Sequence, residues 1–278
     1  MTRKRNGIFF FGPSGGTGGR AFDADTLAWE AAVISNGGSV SLARRIIVDQ
    51  FIYDEKASGT WPLTDDYWGF WAENAIQALT SLKQRRLATA VNSPTFTADR
   101  DYTTDGTAGY INLNFVPLTD AVAMTTNSVH AEVYERTNVS GVAVAFGGTS
   151  GSSRSIAVQT RDGGNVLADG NSSVGTYTLP AADSRGLTQF GRSGTLTTDA
   201  YGAKNGVDMT RTVTPSGVGA SLPANGPFVG AFNNIGTPAV FKASSYGYAS
   251  VGAALSGAQR LARYTNVQAW ATSVGANV

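Results

Sequence analysis

One histidine, five glutamates and no cysteine limit the chemistry that these 278 residues can perform. The missing thiol removes cysteine nucleophiles, disulfides and cysteine-ligated zinc or iron–sulfur sites. A single His130 cannot build a multi-histidine metal site. Gly12-Pro13-Ser14-Gly15-Gly16 has the spacing of a nucleophile elbow. That device needs a helix directly after the serine and a base beside it. Gly-rich sequence follows instead, and His130 falls on an expected strand. Ile8–Phe11 running into the same glycines also has the outline of a phosphate loop. Such a loop needs Lys then Ser or Thr after its last glycine, whereas Gly18 is followed by Gly19 and Arg20. A glycosidase needs two carboxyls facing one bond. Glu132 and Glu135 are three apart on an expected strand and should point to opposite faces. Asp99, Asp101 and Asp105 resemble the start of a calcium loop. Thr103 stands where Asp or Asn is expected, and Asn112 replaces the bidentate Glu. They are the metal candidate; the alternative is an Asx-type turn leading into Tyr110. No cofactor is expected.

These residues sit in a chain with 34 glycines, 15% charged residues, 42% hydrophobic residues and a net charge of +1. The hydrophobic content is enough to fill a core. The charge balance gives no overall pull on nucleic acid or an anionic membrane. Neither a nucleic-acid partner nor membrane insertion is expected. The Ile8–Phe11 patch is short for a signal-peptide core, of roughly 7–15 residues. The expectation is a protein made in the cytoplasm.

Residues 1–22 form a Gly-rich basic arm. Arg3, Lys4 and Arg5 precede the aromatic patch Phe9, Phe10 and Phe11, and the arm is read as docking on a partner or a neighbouring copy. Residues 23–92 read as helical. Leu27, Ala31 and Ile34 recur at helical spacing, and Asn36-Gly37-Gly38 should stop that helix. Ser41 should cap a second helix that Gly59 ends. Thr64 should cap a third, with Asp65 and Asp66 in its first turn and Trp68, Trp71, Ala75, Leu79 and Leu82 along one face. Trp61, Trp68 and Trp71 are expected in the core.

From residue 93 the period becomes two. Ile111, Leu113 and Phe115 form one alternating face; Val129, Ala131 and Val133 form another. Turn signals at Gly147-Gly148, Asp162-Gly163-Gly164, Asp169-Gly170, Asn205-Gly206 and Asn225-Gly226 separate short apolar runs. This pattern predicts an antiparallel sandwich over 93–278. A terminal helix over 256–275, capped by Ser256, carries Leu261, Tyr264, Val267, Ala271 and Val274. The fold class is therefore α+β: a helical N-terminal region, then an antiparallel β-sandwich closed by a C-terminal helix.

Several segments, in order, resemble a family of tailed-bacteriophage virion proteins labelled tail fibre or spike. They are Ser58-Gly59-Thr60-Trp61, Val91 to Arg100, Tyr102, Thr104-Asp105-Gly106, Ser128-Val129-His130 with Tyr134, Tyr201 to Val207, and Ser250 to Tyr264. The resemblance covers about residues 25–278 and excludes the arm. Asp101 stands where the family pattern has Gly. The resemblance implies a jelly-roll of the concanavalin-like or laminin-G-like kind. It also implies a structural, host-contact role rather than an enzyme, with no catalytic residues to carry over. A homo-oligomer, with a trimer as the first guess from analogy with fibres, is expected on the same ground; contact with other virion proteins through the arm is expected from the arm's own sequence, which lies outside the resemblance. The alternatives are a lectin-like module recognising host surface glycan, with Tyr246 and Tyr248 as exposed contacts, and a polysaccharide depolymerase.

Overall fold

The computed structural model describes residues 19–151 and 155–278. Five α-helices are described: α1 (Ala24–Ser35), α2 (Leu42–Ala57), α3 (Ala75–Leu79), α4 (Pro117–Asp120) and α5 (Gly257–Ser273). Their ends obey local chemistry. The Asp23 side chain caps α1, and Ser41 caps α2 by accepting from the Arg44 amide. Ser256 and Gln259 form a reciprocal capping box on α5. Gly37 follows α1 at a φ of +87°, a conformation that a side chain would strain.

The strands in chain order are β1 (Thr64–Gly69), β2 (Thr89–Val91), β3 (Thr95–Thr97), β4 (Asp101–Thr103), β5 (Tyr110–Asn112), β6 (Val129–Glu135), β7 (Phe146–Thr149), β8 (Ser155–Asp162), β9 (Asn165–Ser172), β10 (Gly175–Thr178), β11 (Gly186–Arg192), β12 (Ala200–Lys204), β13 (Val207–Asp208), β14 (Arg211–Val213), β15 (Phe228–Val229), β16 (Phe232–Asn234), β17 (Thr237–Ala239) and β18 (Ser245–Gly252). The inner sheet runs β13-β12-β11-β6-β18-β4-β3, with β1 also on β18. The outer sheet runs β14-β10-β9-β8-β7-β15-β5-β2, joined by β16 and β17. Among the described residues pairing is antiparallel, apart from β16 on β7. The expected fold class is the one observed.

The layers follow from where the apolar residues go. Trp68, Phe70, Val129, Ala131, Val133 and Phe190 of the inner sheet meet Ile111, Phe146, Ile156, Val158 and Val166 of the outer one. On its other face the inner sheet turns Tyr67, Tyr134, Leu187 and Tyr248 towards Trp29, Phe51, Ile52, Val267 and Trp270 of the helices. The order is thus helices, inner sheet, outer sheet, and each interface is an apolar core.

Three expectations need correction. The segment from Thr64 is strand β1, not a helix. Tyr67 and Trp68 are both fully buried, in the helix-side core and the inter-sheet core respectively, which only a period of two achieves. β1 and β2 also place sandwich strands before residue 93. The stripe on α1 is rotated, whereas the one on α5 fails only at Leu261: Val267 and Ala271 are buried, and Tyr264 and Val274 pack against the helix-side core, as expected. Leu27 and Ile34 are exposed, while Thr26, Trp29, Glu30 and Val33 are buried; on α5 Leu261 is exposed and Arg260 and Arg263 are buried. Last, Gly147-Gly148 and Asp169-Gly170 lie inside β7 and β9 rather than at turns.

A buried ionic cluster ties the helices to the inner sheet. Arg263 of α5 donates from Nε to Glu55 of α2 at 2.7 Å and from Nη1 to Glu132 of β6 at 2.6 Å. Its Nη2 donates to Thr64 Oγ1 at 2.6 Å. The three charged side chains are fully buried. Burial alone would raise the Glu132 carboxyl, but Arg263 and His130 together with the hydrogen bonds from Gln189 and Ser250 outweigh it and hold the group below its ordinary value. Arg263→Met leaves two buried carboxylates without their cation. It should cost about 3–5 kcal/mol, read by urea unfolding, and adding Glu55→Gln and Glu132→Gln should recover part of the loss. An unchanged unfolding midpoint for the single variant would refute this role.

Candidate functional site

Alternation along β8 sends Ile156 and Val158 into the inter-sheet core and leaves Ala157 and Gln159 on the outer face. Register then places Asp169 beside Ala157 and Leu167 beside Gln159. Gly147 lies opposite Ala157 on β7, and a Cβ there would meet the Ala157 methyl at 2.6 Å. The segment carrying β16 and β17 rises next to this surface with Phe232 and Val240. The result is an open cleft of about 340 Å³ lined by Val142, Val144, Gln159, Leu167, Asp169 and Phe232, with Val174 and Val240 at its edge. Its volume is in the range of ligand pockets, roughly 300–1,000 Å³.

The polar groups here lack partners. Gln159 Oε1 is buried without a hydrogen bond, and so is Ser155 Oγ. The Ser155 hydroxyl lies close enough to Asp169 to favour its charged form, yet outside hydrogen-bond geometry. Burial dominates and pushes the Asp169 carboxyl up to about 6. Acceptors therefore face an apolar, water-accessible hollow. Val142, 72% exposed, leaves its side wall bare.

A second hollow of about 230 Å³ lies between α2 and α5, lined by Ile46, Ile47, Phe51, Ala269 and Trp270. Its amide and hydroxyl side chains are already engaged, Gln50 with Asp54, Asn266 with Glu55 and Ser273 with the Trp270 carbonyl, and its unpartnered group, Trp270 Nε1, is a donor. That contrast favours the outer-sheet cleft.

The residues singled out by sequence fall elsewhere. Arg3, Lys4, Arg5, Phe9, Phe10 and Phe11 lie outside the described residues. Asp99, Asp101 and Asp105 do not converge. Asp99 pairs with Arg44 and Asp101 with Arg136. Asp105 accepts from the amides of Thr107, Ala108 and Gly109, as an Asx-type turn does. Those three hydrogen bonds hold its carboxyl below the ordinary range. Among the described residues no cluster of three metal-ligating side chains is present. The expected exposure of Tyr246 and Tyr248 is also corrected: both are fully buried. The register of β18 against β6 shifts between them, at Gly247, so Tyr246 enters the inter-sheet core and Tyr248 the helix-side core. The Trp71 ring covers Gly247, where a Cβ would sit 2.3 Å from it.

Glu132 and Glu135 point to opposite faces, as their spacing implies. Glu132 meets Arg263, and Glu135 meets Lys242 at 2.9 Å between the sheets. His130 is buried against the Ala253 carbonyl, and burial lowers its pKa to about 4, so the ring is neutral at pH 7. Gln159 carried no sequence signal, and Asp169 read only as a turn residue.

No protein-family model matches the sequence, and no curated protein is similar to it. Among solved structures the chain is similar to a Trypanosoma rangeli sialidase in complex with 2,3-difluorosialic acid, at 9% identity and a TM-score of 0.39. A mutant of that sialidase displaying trans-sialidase activity matches at 10% identity and 0.39. Domain 4 of AbnA, a GH43 extracellular arabinanase from Geobacillus stearothermophilus, in complex with arabinotriose, matches at 16% and 0.36. The match covers 80% and 79% of this chain but only 39% and 38% of the two sialidase chains. For the arabinanase domain the figures are 72% and 97%. All three TM-scores lie below 0.5, and the antiparallel β-sandwich rests on the strand pairing described above. The expectation that the chain is not an enzyme is withdrawn on this finding, because the proteins it matches are sialidases and a domain of an arabinanase.

Asp169 gives the cleft a measurable signature. A carboxyl raised from its unfolded value near 3.9 to about 6 penalises the folded state once it ionises. The wild type therefore loses stability as pH rises through 6, and an amide does not. Asp169→Asn should be more stable by about 1–2 kcal/mol at pH 7.5, after allowance for its partial exposure, with the difference gone below pH 4. Thermal melts across pH 3.5–8 test this, and a pH-independent difference would refute it.

Proposed function

We propose that the chain is a glycan-recognition module of a phage or phage-like particle. The sandwich binds surface carbohydrate in its outer-sheet cleft, and residues 1–22 dock it on other virion proteins. The observation that carries the binding half is the buried, unpaired Gln159 Oε1 next to the Asp169 carboxyl and beside an exposed apolar wall. Sugars present many hydroxyl donors next to C–H surface, and a buried carboxylate accepts such donors strongly. The particle half rests on the ordered segments that resemble fibre and spike proteins. A homotrimer, by analogy with fibres, would set several clefts on one particle and raise the avidity of weak sites.

A glycan array with the full chain tests the first half. Specific hits should appear, and Asp169→Asn or Gln159→Ala should weaken them by about tenfold or more, a loss of roughly one charge-assisted hydrogen bond. A blank array, or hits that both variants retain, would sink the cleft as a glycan site. The second half is tested by deleting residues 1–22. The variant should keep its fold by circular dichroism and fail to enter particles; normal incorporation would sink the docking role of the arm.

A further inference from the structure

The lining of the cleft also says which sugars it takes, given the glycan reading above. Gln159 Oε1 is a buried acceptor without a hydrogen bond, and the Asp169 carboxyl beside it has the Ser155 hydroxyl as its polar neighbour. None of the cleft's lining residues is Lys, Arg or His. A uronic or sialic acid would bring its own carboxylate into an apolar hollow that already holds one, with no cation among the described lining residues to offset the repulsion. The walls carry a second restriction. Val142, Val144, Leu167, Val174 and Val240 are aliphatic, and Phe232 is the one aromatic ring among the lining residues. Flat pyranose faces stack on broad rings, whereas a ring of branched side chains makes a socket for a compact apolar group such as a methyl.

We propose that the cleft selects an uncharged sugar that carries a methyl group, a 6-deoxyhexose or an N-acetylhexosamine, and rejects acidic sugars. The hydroxyls, or the acetamido N–H, donate to Asp169 and Gln159. The methyl lies among Val142, Val144, Val174 and Val240. The two sources of the methyl share this chemistry, and matched ligands tell them apart.

The test is calorimetric titration of the full chain at pH 7.5 with sugar pairs differing in one group. L-Fucose against L-galactose, and N-acetylglucosamine against glucose, probe the methyl. Methyl galacturonate against galacturonate probes the charge. The methyl-bearing member of at least one of the first two pairs should bind about fourfold or more tightly, the gain for burying one methyl group. The ester should bind at least about tenfold more tightly than the free acid. Val142→Lys adds a cation to the exposed wall and should narrow the ester–acid gap by about threefold or more. Equal binding within all three pairs, in a protein whose binding Asp169→Asn abolishes, would overturn the selectivity and leave the glycan site standing. Tighter binding of the acid would overturn it equally. Failure of every sugar and of every array ligand would instead remove the glycan reading itself, and the selectivity with it.

Discussion

The three-layer arrangement depends on one guanidinium. Arg263 reaches from α5 to Glu55 on α2 and to Glu132 on β6, and touches Thr64 at the start of β1. These four residues come from segments as far apart as 208 positions in the chain. Two carboxylates and one cation in a dry interface are costly unless the geometry satisfies them. Here the remaining acceptor positions are filled as well. Thr60 and Asn266 donate to Glu55, and Gln189 donates to Glu132. An apolar core would tolerate α5 sliding by a turn or rotating; this cluster tolerates neither.

Because the helices are held against the inner sheet, the two sheets differ in what they expose. The inner sheet is covered on both faces, so even its tyrosines are lost to solvent. The outer sheet has one face in the core and one open, and its loops can build only on that open face. That is where β16 and β17 stand and where acceptors are left unsatisfied. The cost in stability at Asp169 and the capacity to bind have the same origin: a polar group placed where folding alone gives it no partner.

Much of this fold can be read from the chain. The caps at Ser41 and Ser256, the stop at Asn36-Gly37, the Asn205-Gly206 hairpin and the alternation in β6 all follow local rules. The failures have local causes too. Thr64-Asp65-Asp66 looks like a helix start because a cap and acids suit a first turn, yet Asp65 instead accepts the amides of Val122 and Met124, and Asp66 those of Tyr67 and Lys83. The buried face of α5 is legible at Val267 and Ala271, but Arg260 and Arg263 also belong to it, and an arginine in a stripe reads as solvent-facing. Tyr246 and Tyr248 share a face in any regular strand, and only the irregularity at Gly247 separates them. The cleft was invisible because Gln159 and Asp169 meet through strand register, a relation that spacing does not encode.

The placement of Arg20 against α2 has a mechanical consequence. Arg20 pairs with the buried Asp49 of α2, and its guanidinium lies 4.5 Å above the Tyr53 ring. Arg20 thus sits on the helical layer, while the cleft opens on the far side of the outer sheet. A tension applied between the two crosses all three layers at right angles to the strands. Strand hydrogen bonds lie in the plane of each sheet and do not carry that load. It falls on side-chain packing between the layers and on the Arg263 cluster, which makes a structural ion group the element that resists such a load.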